Sequence, residues 1–237
     1  MGRHASIPQS ASLTATDQGM IATGNHTNSD SLRGAPPFAQ GSLVIGITAA
    51  TGCGKTTLLK LIAEQGGLIL DCDAIYHELL LSDTAMLSAI EARFPGVVEE
   101  GRLNRKKLGA IVFSVNAALL DLNRITHASV KQEVLRRLET APRLAAIDAI
   151  GLFEGGLAEL CHVTVAVTAP EEMRIQRLME RDNISEEYAR ARVRAQHSND
   201  WFRQRCDHTL ENDGKLDAFA TKCLAFLYTL GIMKENL

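Results

Sequence analysis

One stretch, residues 46–57, constrains the fold of this chain more than any other feature. It reads Gly-Ile-Thr-Ala-Ala-Thr-Gly-Cys-Gly-Lys-Thr-Thr. An apolar run, residues 43–47, leads into it, and a helix-forming run, residues 58–64, follows it. A glycine-rich turn between a strand and a helix, ending in Gly-Lys-Thr, is typical of loops that bind the phosphates of a nucleoside triphosphate. The sequence therefore predicts an α/β fold with a nucleotide site at the end of a strand.

The residue types of this loop fit phosphate chemistry. Gly52 and Gly54 have no Cβ, so the backbone can bend tightly and point its N–H groups inward. Those N–H groups and the start of the helix form a cradle for an anion. Lys55 can reach the β- and γ-phosphates, and Thr56 places a hydroxyl where Mg²⁺ sits, which makes it the metal-binding candidate. The predicted nucleotide-binding residues of the loop are Gly52, Cys53, Gly54, Lys55, Thr56 and Thr57.

The loop departs from the usual Gly-x-x-x-x-Gly-Lys-[Ser/Thr] pattern at its first position, where Ala49 replaces glycine. Alanine is the smallest change available there, so we expect it to be tolerated. The alternative is that the stretch is a glycine-rich turn without a binding function and that its lysine is incidental. The loop indicates a nucleoside triphosphate, but it does not distinguish a kinase from a GTPase or an ATPase.

Composition limits the class of protein. The chain has 237 residues, of which 46% are hydrophobic, enough for one α/β domain with an inserted subdomain. The net charge of −3 gives no general attraction to nucleic acid or to a membrane, and no apolar run reaches the length of a membrane span. Five cysteines without a Cys-x-x-Cys pair favour a reducing, cytoplasmic compartment. The oligomeric state stays open between a monomer and a weak homo-oligomer.

Residues 1–41 differ in composition from the rest of the chain. They are rich in Ser, Thr, Ala, Gly and Asn and show no persistent helical or strand period. We therefore predict a disordered leader over residues 1–41 and a folded domain over residues 42–237. The leader lacks the apolar core of a secretory signal. An organelle transit peptide and a start at Met20 are the alternatives.

Two acidic residues follow the second predicted strand, residues 68–70. Asp71 and Asp73 come directly after it, and carboxylates at the carboxyl end of a parallel strand face the ligand crevice. Because side chains alternate along an extended backbone, we expect the two to share a face. One can then accept a proton from an attacking hydroxyl, while the other orients a ligand or holds Mg²⁺ through water. Alternatively, Asp73 caps the next helix, residues 74–81, and Asp71 caps a helix or lies at the surface.

A helical region, roughly residues 83–140, follows, with breaks near residues 95 and 103. Its apolar residues recur at three- and four-residue spacing. Since strands of a doubly wound sheet are usually separated by a single helix, we predict an inserted subdomain that binds an acceptor. His127 lies inside it and, taken alone, is as readily structural as functional.

Two more strands are predicted over residues 143–148 and 162–167, the second rich in β-branched residues. Asp148 ends the first of them and is a candidate metal carboxylate, although acids at strand ends are common. Glu154 follows an apolar run and precedes two glycines, so it can cap a helix or line an acceptor site.

Residues 170–205 carry eight arginines in a chain of net negative charge. Arg174, Arg177 and Arg181 are spaced i, i+3 and i+7 on a helix that begins near Pro170, so they form one stripe beside an apolar stripe. Such a stripe is either solvated or clamps transferring phosphates. We predict a mobile, arginine-bearing lid that excludes water and supplies positive charge to the transition state.

The C-terminal region predicts a last strand, residues 207–210, a turn at residues 211–214 and a final helix. The apolar stripe of that helix contains Leu216, Phe219, Ala220, Cys223, Leu224, Leu227 and Leu230. Together the patterns predict a P-loop NTPase of the nucleoside-monophosphate-kinase-like class. Its parallel sheet is flanked by helices and carries the helical acceptor subdomain and the lid.

In their order along the chain, these motifs resemble those of dephospho-CoA kinases. The resemblance covers about residues 43–230, and only the loop is specific by itself. The other elements that carry it are Asp71-Cys72-Asp73-Ala74, Arg105-Lys106-Lys107-Leu108, Ile111-Val112-Phe113, Ile125-Thr126-His127, Leu152-Phe153-Glu154, Gln176-Arg177-Leu178 with Arg181-Asp182, Gln196, and Asn212-Asp213-Gly214.

This resemblance implies that ATP phosphorylates the ribose 3′-hydroxyl of dephospho-CoA. Asp73 would be the base on that hydroxyl, and Lys55 and Thr56 would serve ATP and Mg²⁺. The catalytic residues implied are thus Asp73 and Lys55. The partners implied are ATP and dephospho-CoA.

The resemblance also places residues around the two substrates. Arg177 and Arg181 would contact phosphates from the lid, and the region of Asn212 would lie near the adenine of ATP. The residues expected on the acceptor side are Asp71, His77, His127 and Glu154.

Four positions depart from the family pattern on the acceptor side. His77 stands where many members carry arginine, and Ala128 stands where proline often follows the histidine. Ile150 and Gly151 replace a usual Pro-Leu before Leu-Phe-Glu. The phosphate and base residues are intact, so these departures bear on the identity of the acceptor.

Two rival functions remain. The first is another small-molecule P-loop kinase, for nucleosides, nucleotides or shikimate, although the long insertion argues against shikimate. The second is a nucleotide-binding regulator or a GTPase-type switch. A GTPase should carry an Asn-Lys-x-Asp motif, which is missing, and an inactive regulator should have lost Lys55 or Asp73, which are both present.

Overall fold

The structure is a computed structural model that describes residues 42–232. The leader predicted over residues 1–41 lies outside the described residues. The strands are β1 (Leu43–Ala49), β2 (Leu68–Asp71), β3 (Val98–Glu99), β4 (Arg102–Leu103), β5 (Leu144–Asp148), β6 (Val163–Thr168) and β7 (His208–Glu211).

Helices connect these strands, and a short 3₁₀ helix, Ala158–Leu160, precedes β6. The α-helices are α1 (Thr56–Glu64), α2 (Cys72–Ser82), α3 (Thr84–Arg93), α4 (Arg105–Val112), α5 (Asn116–Leu138), α6 (Glu171–Asp182), α7 (Glu186–Arg194), α8 (Asn199–Arg205) and α9 (Leu216–Thr229).

Five parallel strands form the central sheet in the order β2-β5-β1-β6-β7. Strand β1 lies in the middle, and the chain passes to opposite sides of it when it continues to β2 and, later, to β6. Ligands bind at such reversal points, outside the carboxyl ends of the strands. The sheet therefore places the loop after β1 and the acids after β2 and β5 at one edge.

Helices cover both faces of the sheet because its strands are apolar on both sides. On one face, Val44 packs with residues of α2, α3 and α5, including Ile90 and Val134. On the other, Ile47 packs with α1 and α9 through residues such as Phe219. Full burial of one such side chain contributes about 1.5–3 kcal/mol. The predicted parallel sheet with flanking helices is confirmed.

The helical region after α2 also contains a feature that the sequence did not reveal. Strands β3 and β4 pair as a small antiparallel hairpin, with Val98 opposite Leu103. Its turn residues, Glu100 and Gly101, both have positive φ, 51° and 75°. Two-residue strands are too short to show a period, and glutamate is an unusual residue for such a turn, so the pattern gave no signal. The division into an acceptor subdomain and a lid stays a prediction.

The sequence predicted that the apolar stripe of the last helix begins at Leu216, and this was wrong for the first turn of the helix. Phe219, Cys223, Phe226 and Leu227 are buried, whereas Leu216 is 67% exposed. Its neighbours in the first turn are also exposed, so α9 reaches the core only from Phe219 onward. Within residues 42–232, no helix combines the length and the apolarity needed to cross a membrane.

Candidate active site

The loop between β1 and α1, residues 50–55, depends on two glycines. Gly52 and Gly54 both have φ +85°, a region that residues with a Cβ rarely adopt. A Cβ on Gly54 would lie 2.5 Å from Nδ2 of Asn212, and one on Gly52 would lie 2.9 Å from the carbonyl oxygen of Arg174. Neighbouring chain segments therefore pack directly against the loop.

The loop leaves N–H groups available for an anion. Among the described residues, no acceptor bonds the N–H groups of Gly54, Lys55 or Thr56, which precede or begin α1. Unpaired N–H groups at a helix N-terminus bind phosphate readily. The N–H groups of Cys53 and Thr57 bond instead to carbonyls within the loop, each at 3.3 Å.

Ala49, the departure from the loop pattern, is the last residue of β1 and is buried. Among the described residues, the non-glycine residues with positive φ are Glu100 and Asn183. Ala49 thus has ordinary backbone geometry and needs no glycine.

Two residues predicted to bind nucleotide meet against the loop. Arg177 donates from Nη1 to the carbonyl of Gly52 at 3.1 Å and from Nη2 to Oδ1 of Asn212 at 3.3 Å. Asn212 is 5% exposed and donates from Nδ2 to the carbonyl of Cys53 at 2.9 Å. Arg181, the third, lies apart from this group, where it binds the Asp182 carboxylate at 2.8 and 3.0 Å.

Lys55 reaches across the carboxyl edge of the sheet and forms an ion pair with Asp148. The parallel register explains the meeting, because Asp148 is aligned with Ile47 on β1 and with Asp71 on β2. Asp148 is 9% exposed, and burial raises the pKa of its carboxyl, while the charge of Lys55 opposes that rise. The candidate metal carboxylate and the loop lysine are thus direct partners.

The expectation that Asp71 and Asp73 share a strand face was wrong, as was the alternative that Asp73 caps the next helix, whereas the alternative that Asp71 caps a helix is confirmed. Strand β2 ends at Asp71, and α2 begins at the next residue, so Asp73 lies in the first turn of a helix. Asp71 is the cap, and its Oδ1 accepts from the N–H groups of Asp73 at 2.9 Å and Ala74 at 3.0 Å. Helix α2 follows β2 without any turn residue between them. The alternation of side chains between the two faces of the strand therefore stops at Asp71, earlier than the sequence suggests.

Asp73 is partly buried, and its carboxyl is close enough to Lys55 to feel the charge of that lysine. Burial raises the pKa of the Asp73 carboxyl, and the nearby carboxylate of Asp71 adds to the rise. The charges of Lys55 and His77 act in the opposite direction. Because burial outweighs the effect of these charges, the Asp73 carboxylate is a stronger base than one in water, which suits proton abstraction from a hydroxyl.

Three of the residues expected on the acceptor side lie in or contact the segments that follow β2 and β5. His77 contacts the backbone carbonyl of Asp73 through Nδ1 at 2.7 Å. His127 is partly buried beside Glu154, and this burial lowers the pKa of its imidazole. A hydrogen bond to the Glu154 backbone and the charge of Glu154 both act to raise that pKa. A Cβ on Gly151 would lie 3.9 Å from both Nε2 of His127 and Oε2 of Glu154. The departure at Gly151 therefore leaves space between these two side chains.

The other departures cause no disruption of the fold. Helix α5 runs without a break through Ala128, where a proline would remove a backbone hydrogen bond. The carbonyl of Ile150 accepts a hydrogen bond from Oγ1 of Thr48 at 3.1 Å, which ties the segment after β5 to β1.

Sequence reasoning did not single out His197, which contacts one of the residues expected on the acceptor side. Its Nε2 contacts Oε1 of Glu154 at 3.0 Å, and its ring stacks on Trp201 with a centroid separation of 3.8 Å. The Arg205 guanidinium lies 4.1 Å from the Trp201 ring centre. The contact of His197 with Glu154 spans 43 residues, so no local spacing could reveal it.

Arginines of the predicted lid are engaged in ion pairs. Arg190 binds Glu172 at 2.7 Å and Glu186 at 2.8 Å, and Arg203 binds Asp200 at 2.8 Å. Each lies on or near the helices α6 to α8. The opening and closing of this region stays a prediction.

A parallel sheet with β1 at its centre, a phosphate loop and an acid paired with the loop lysine define the chain as a P-loop nucleotide-binding protein. The family model for dephospho-CoA kinase matches residues 43–218. The chain belongs to the dephospho-CoA kinase family.

Curated relatives and solved structures agree with this assignment. The chain is 35% identical over 192 residues to a dephospho-CoA kinase of Deinococcus radiodurans, covering 79% of this chain and 92% of that protein. It is 32% identical over 178 residues to one of Latilactobacillus sakei, covering 73% and 88%. A crystal structure from Thermus thermophilus is similar with a TM-score of 0.67 and 34% identity, over 81% of this chain and 98% of that one. Dephospho-CoA kinase from Campylobacter jejuni, at 24% identity, shares the fold with a TM-score of 0.57, over 80% and 98%.

Proposed function

We propose that this enzyme transfers the γ-phosphoryl group of ATP to the ribose 3′-hydroxyl of dephospho-CoA, giving coenzyme A and ADP. The observation that carries the proposal is the ion pair of Lys55 with Asp148 at the carboxyl end of the sheet, with Asp73 in the first turn of the helix that follows β2, where the charge of Lys55 acts on its carboxyl. The relatives named dephospho-CoA kinase support the choice of acceptor.

In the proposed reaction, Asp73 accepts the proton of the attacking hydroxyl as the oxygen approaches the γ-phosphorus. The bond from the γ-phosphorus to the β–γ bridging oxygen breaks, and ADP leaves. Phosphoryl transfer passes through a loose transition state, so positioning and charge neutralisation do most of the work. Lys55 supplies positive charge to the phosphates, and it exchanges the carboxylate of Asp148 for phosphate oxygens when ATP binds.

The residues present fit Mg²⁺. Thr56 is exposed at the start of α1, and Asp148 lies across the edge of the sheet. Among the described residues, no cluster of three or more His, Cys, Asp or Glu side chains forms a metal cage. Mg²⁺ commonly takes few protein ligands and keeps phosphate oxygens and waters. We propose that the Thr56 hydroxyl would bind Mg²⁺ directly and that Asp148 or Asp71 would bind it through water. The ion would neutralise phosphate charge.

The remaining predicted residues are assigned by their place in the site. Arg177 and Asn212 lie on the outer side of the loop and are proposed to line the nucleotide end of the site. Arg181 would have to leave Asp182 to reach a phosphate, so its role depends on lid movement. His77, His127 and Glu154 are proposed to line the acceptor end. Buried thiols outside disulfide bonds, such as those of Cys53 and Cys72, support a cytoplasmic location.

The test is identification of the product. Purified enzyme is mixed with Mg²⁺, ATP and dephospho-CoA, and the product is analysed by mass spectrometry with fragmentation of the ribose. We expect coenzyme A, with one ADP released per acceptor consumed. Coenzyme A itself, whose 3′-hydroxyl is already phosphorylated, is the matched control and should release no ADP. Transfer to a different position, or none, would overturn the proposal.

A further inference from the structure

Thr51, the loop residue before Gly52, is bound at all three of its polar groups by two distant side chains. Gln196 accepts from the Thr51 N–H at 2.9 Å through Oε1 and donates from Nε2 to Thr51 Oγ1 at 2.8 Å. Arg174 donates from Nε to the Thr51 carbonyl at 2.9 Å. Gln196 lies between α7 and α8, and Arg174 lies on α6. Both therefore bind the loop from the side of the molecule that carries the predicted lid.

Arg174 also fixes the orientation of Gln196. Its Nη2 donates to Oε1 of Gln196 at 3.1 Å, so this oxygen accepts from two donors. A reversed amide would turn its NH₂ group toward the Thr51 N–H and the guanidinium, which are donors as well. Arg174 is only 3% exposed, and its positive charge needs these acceptors.

The N–H group of Thr51 is already bonded, unlike some of the N–H groups that follow it. The Thr51 N–H is used by Gln196, whereas those of Gly54, Lys55 and Thr56 have no acceptor among the described residues. Gly52, the next residue, has φ +85° and lies against the backbone of Arg174. Thr51 and Gly52, adjacent in the loop, are thus both in contact with Arg174.

We propose that Gln196, oriented by the buried Arg174, is a positioning residue for the phosphate loop. It touches the loop on the side of Thr51 and acts on ATP through the loop conformation. Without it, the N–H and hydroxyl of Thr51 and the Arg174 guanidinium lose a shared partner, and the loop can relax away from its phosphate-binding shape. The inference rests on the proposed use of ATP, but not on the identity of the acceptor.

The test compares nucleotide binding in three variants, measured with a fluorescent ATP analogue in the absence of any acceptor. Gln196→Ala is expected to raise the dissociation constant about tenfold. In a separate turnover assay with dephospho-CoA, the KM for ATP should rise to a similar extent, while kcat at saturating ATP changes about twofold. Gln196→Glu keeps oxygens that accept from Thr51 and Arg174, so it should stay within about threefold of wild type.

Gln176→Ala is the matched control. Gln176 is an exposed glutamine on α6, and its Nε2 bonds to Glu180 at 3.1 Å, away from the loop. Its ATP affinity should equal that of the wild type. A role in stability alone would lower the melting temperature of Gln196→Ala and leave its ATP affinity unchanged well below that temperature.

Two results would overturn the proposal: a dissociation constant for Gln196→Ala within twofold of wild type, or an equal loss in Gln176→Ala. If the wild type binds the ATP analogue but does not phosphorylate dephospho-CoA, the acceptor assignment fails while the role of Gln196 stands. The two failures are therefore distinguishable.

Discussion

The phosphate loop and the acceptor side of this kinase are held in different ways. Side chains from distant segments fix the loop, and two of them, Arg174 and Asn212, are almost fully buried. Among the residues proposed for the acceptor side, Asp71 and His77 bond to backbone groups within four residues along the chain. Glu154 has a distant side-chain contact, with His197. We infer that the nucleotide site is preformed, whereas the acceptor site is left open for its substrate to complete.

The largest expected effect separates the two regions by function. Asp73→Asn should lower kcat by about 10²–10⁴-fold, because it removes the proposed base and keeps the shape of the side chain. The dissociation constant of an ATP analogue should change less than about twofold, since Asp73 is proposed to act on the acceptor hydroxyl and not to hold ATP. Rapid-quench kinetics and equilibrium binding measure the two quantities.

Asp83→Asn is the control for this prediction. Asp83 caps α3 by accepting from the Met86 N–H at 2.9 Å, and asparagine caps helices as well as aspartate does. Its kcat should equal that of the wild type. A loss of ATP affinity in Asp73→Asn as large as its loss of kcat would break the comparison between the two regions.

A smaller effect, confined to the nucleotide side, is expected from Gly54→Ala. The added Cβ would lie 2.5 Å from Nδ2 of Asn212 at a residue with φ +85°, so the loop must move. We expect ATP affinity to fall about 100-fold, the loss of two or three phosphate hydrogen bonds. Isothermal titration with a non-hydrolysable ATP analogue measures it.

Gly66→Ala is the matched control, because it also adds a Cβ to a glycine with positive φ. Gly66 has φ +77° but nothing within 4 Å of a Cβ, so the substitution strains the chain without touching the loop. It should cost about 1 kcal/mol of stability and leave ATP affinity unaltered. Equal ATP affinities in the two variants would show that contacts around the loop do not shape the site.

The smallest expected effect concerns stability. The pKa of Asp73 is raised mainly by burial, so folding favours its protonated form. The stabilisation from that proton is complete below the pKa of the unfolded chain and is lost as the pH rises through the folded pKa. At pH 7 the ionised carboxylate is therefore a cost, and Asp73→Asn should melt at or a few degrees above the wild-type temperature.

Thermal unfolding followed by circular dichroism at pH 4 and pH 7 measures this effect. The advantage of the variant should be larger at pH 7. A variant that melts well below the wild type at pH 7 would mean that Asp73 has a structural role, which would weaken the kinetic interpretation.

The sequence predicted those parts of the fold and site that depend on local pattern. The phosphate loop, the apolar strands and most of the helices follow from residue types within one turn or strand. Asp148 emerged as a candidate because it ends an apolar run, but its pairing with Lys55 depends on the parallel register of β1 and β5. No spacing along the chain encodes that register.

The sequence could not reveal the contacts that fix the loop either, because they join residues that are far apart along the chain. Arg174 and Gln196 lie 123 and 145 residues from Thr51. The arginine stripe was expected to be solvated or to clamp phosphates, whereas Arg174 is buried against the loop backbone. The abrupt start of α2 after Asp71 was also missed, since no glycine or proline marks it.

The most direct test of the account is the choice of acceptor, because the departures at His77, Ala128, Ile150 and Gly151 fall in segments that we propose to line the acceptor site. ADP release is measured with Mg²⁺, ATP and, in turn, dephospho-CoA, adenosine, uridine, AMP, CMP and shikimate. The account predicts turnover with dephospho-CoA and none above background with the others. A higher kcat/KM for any other acceptor would contradict it, and ATP binding without turnover on any of them would favour a regulatory protein.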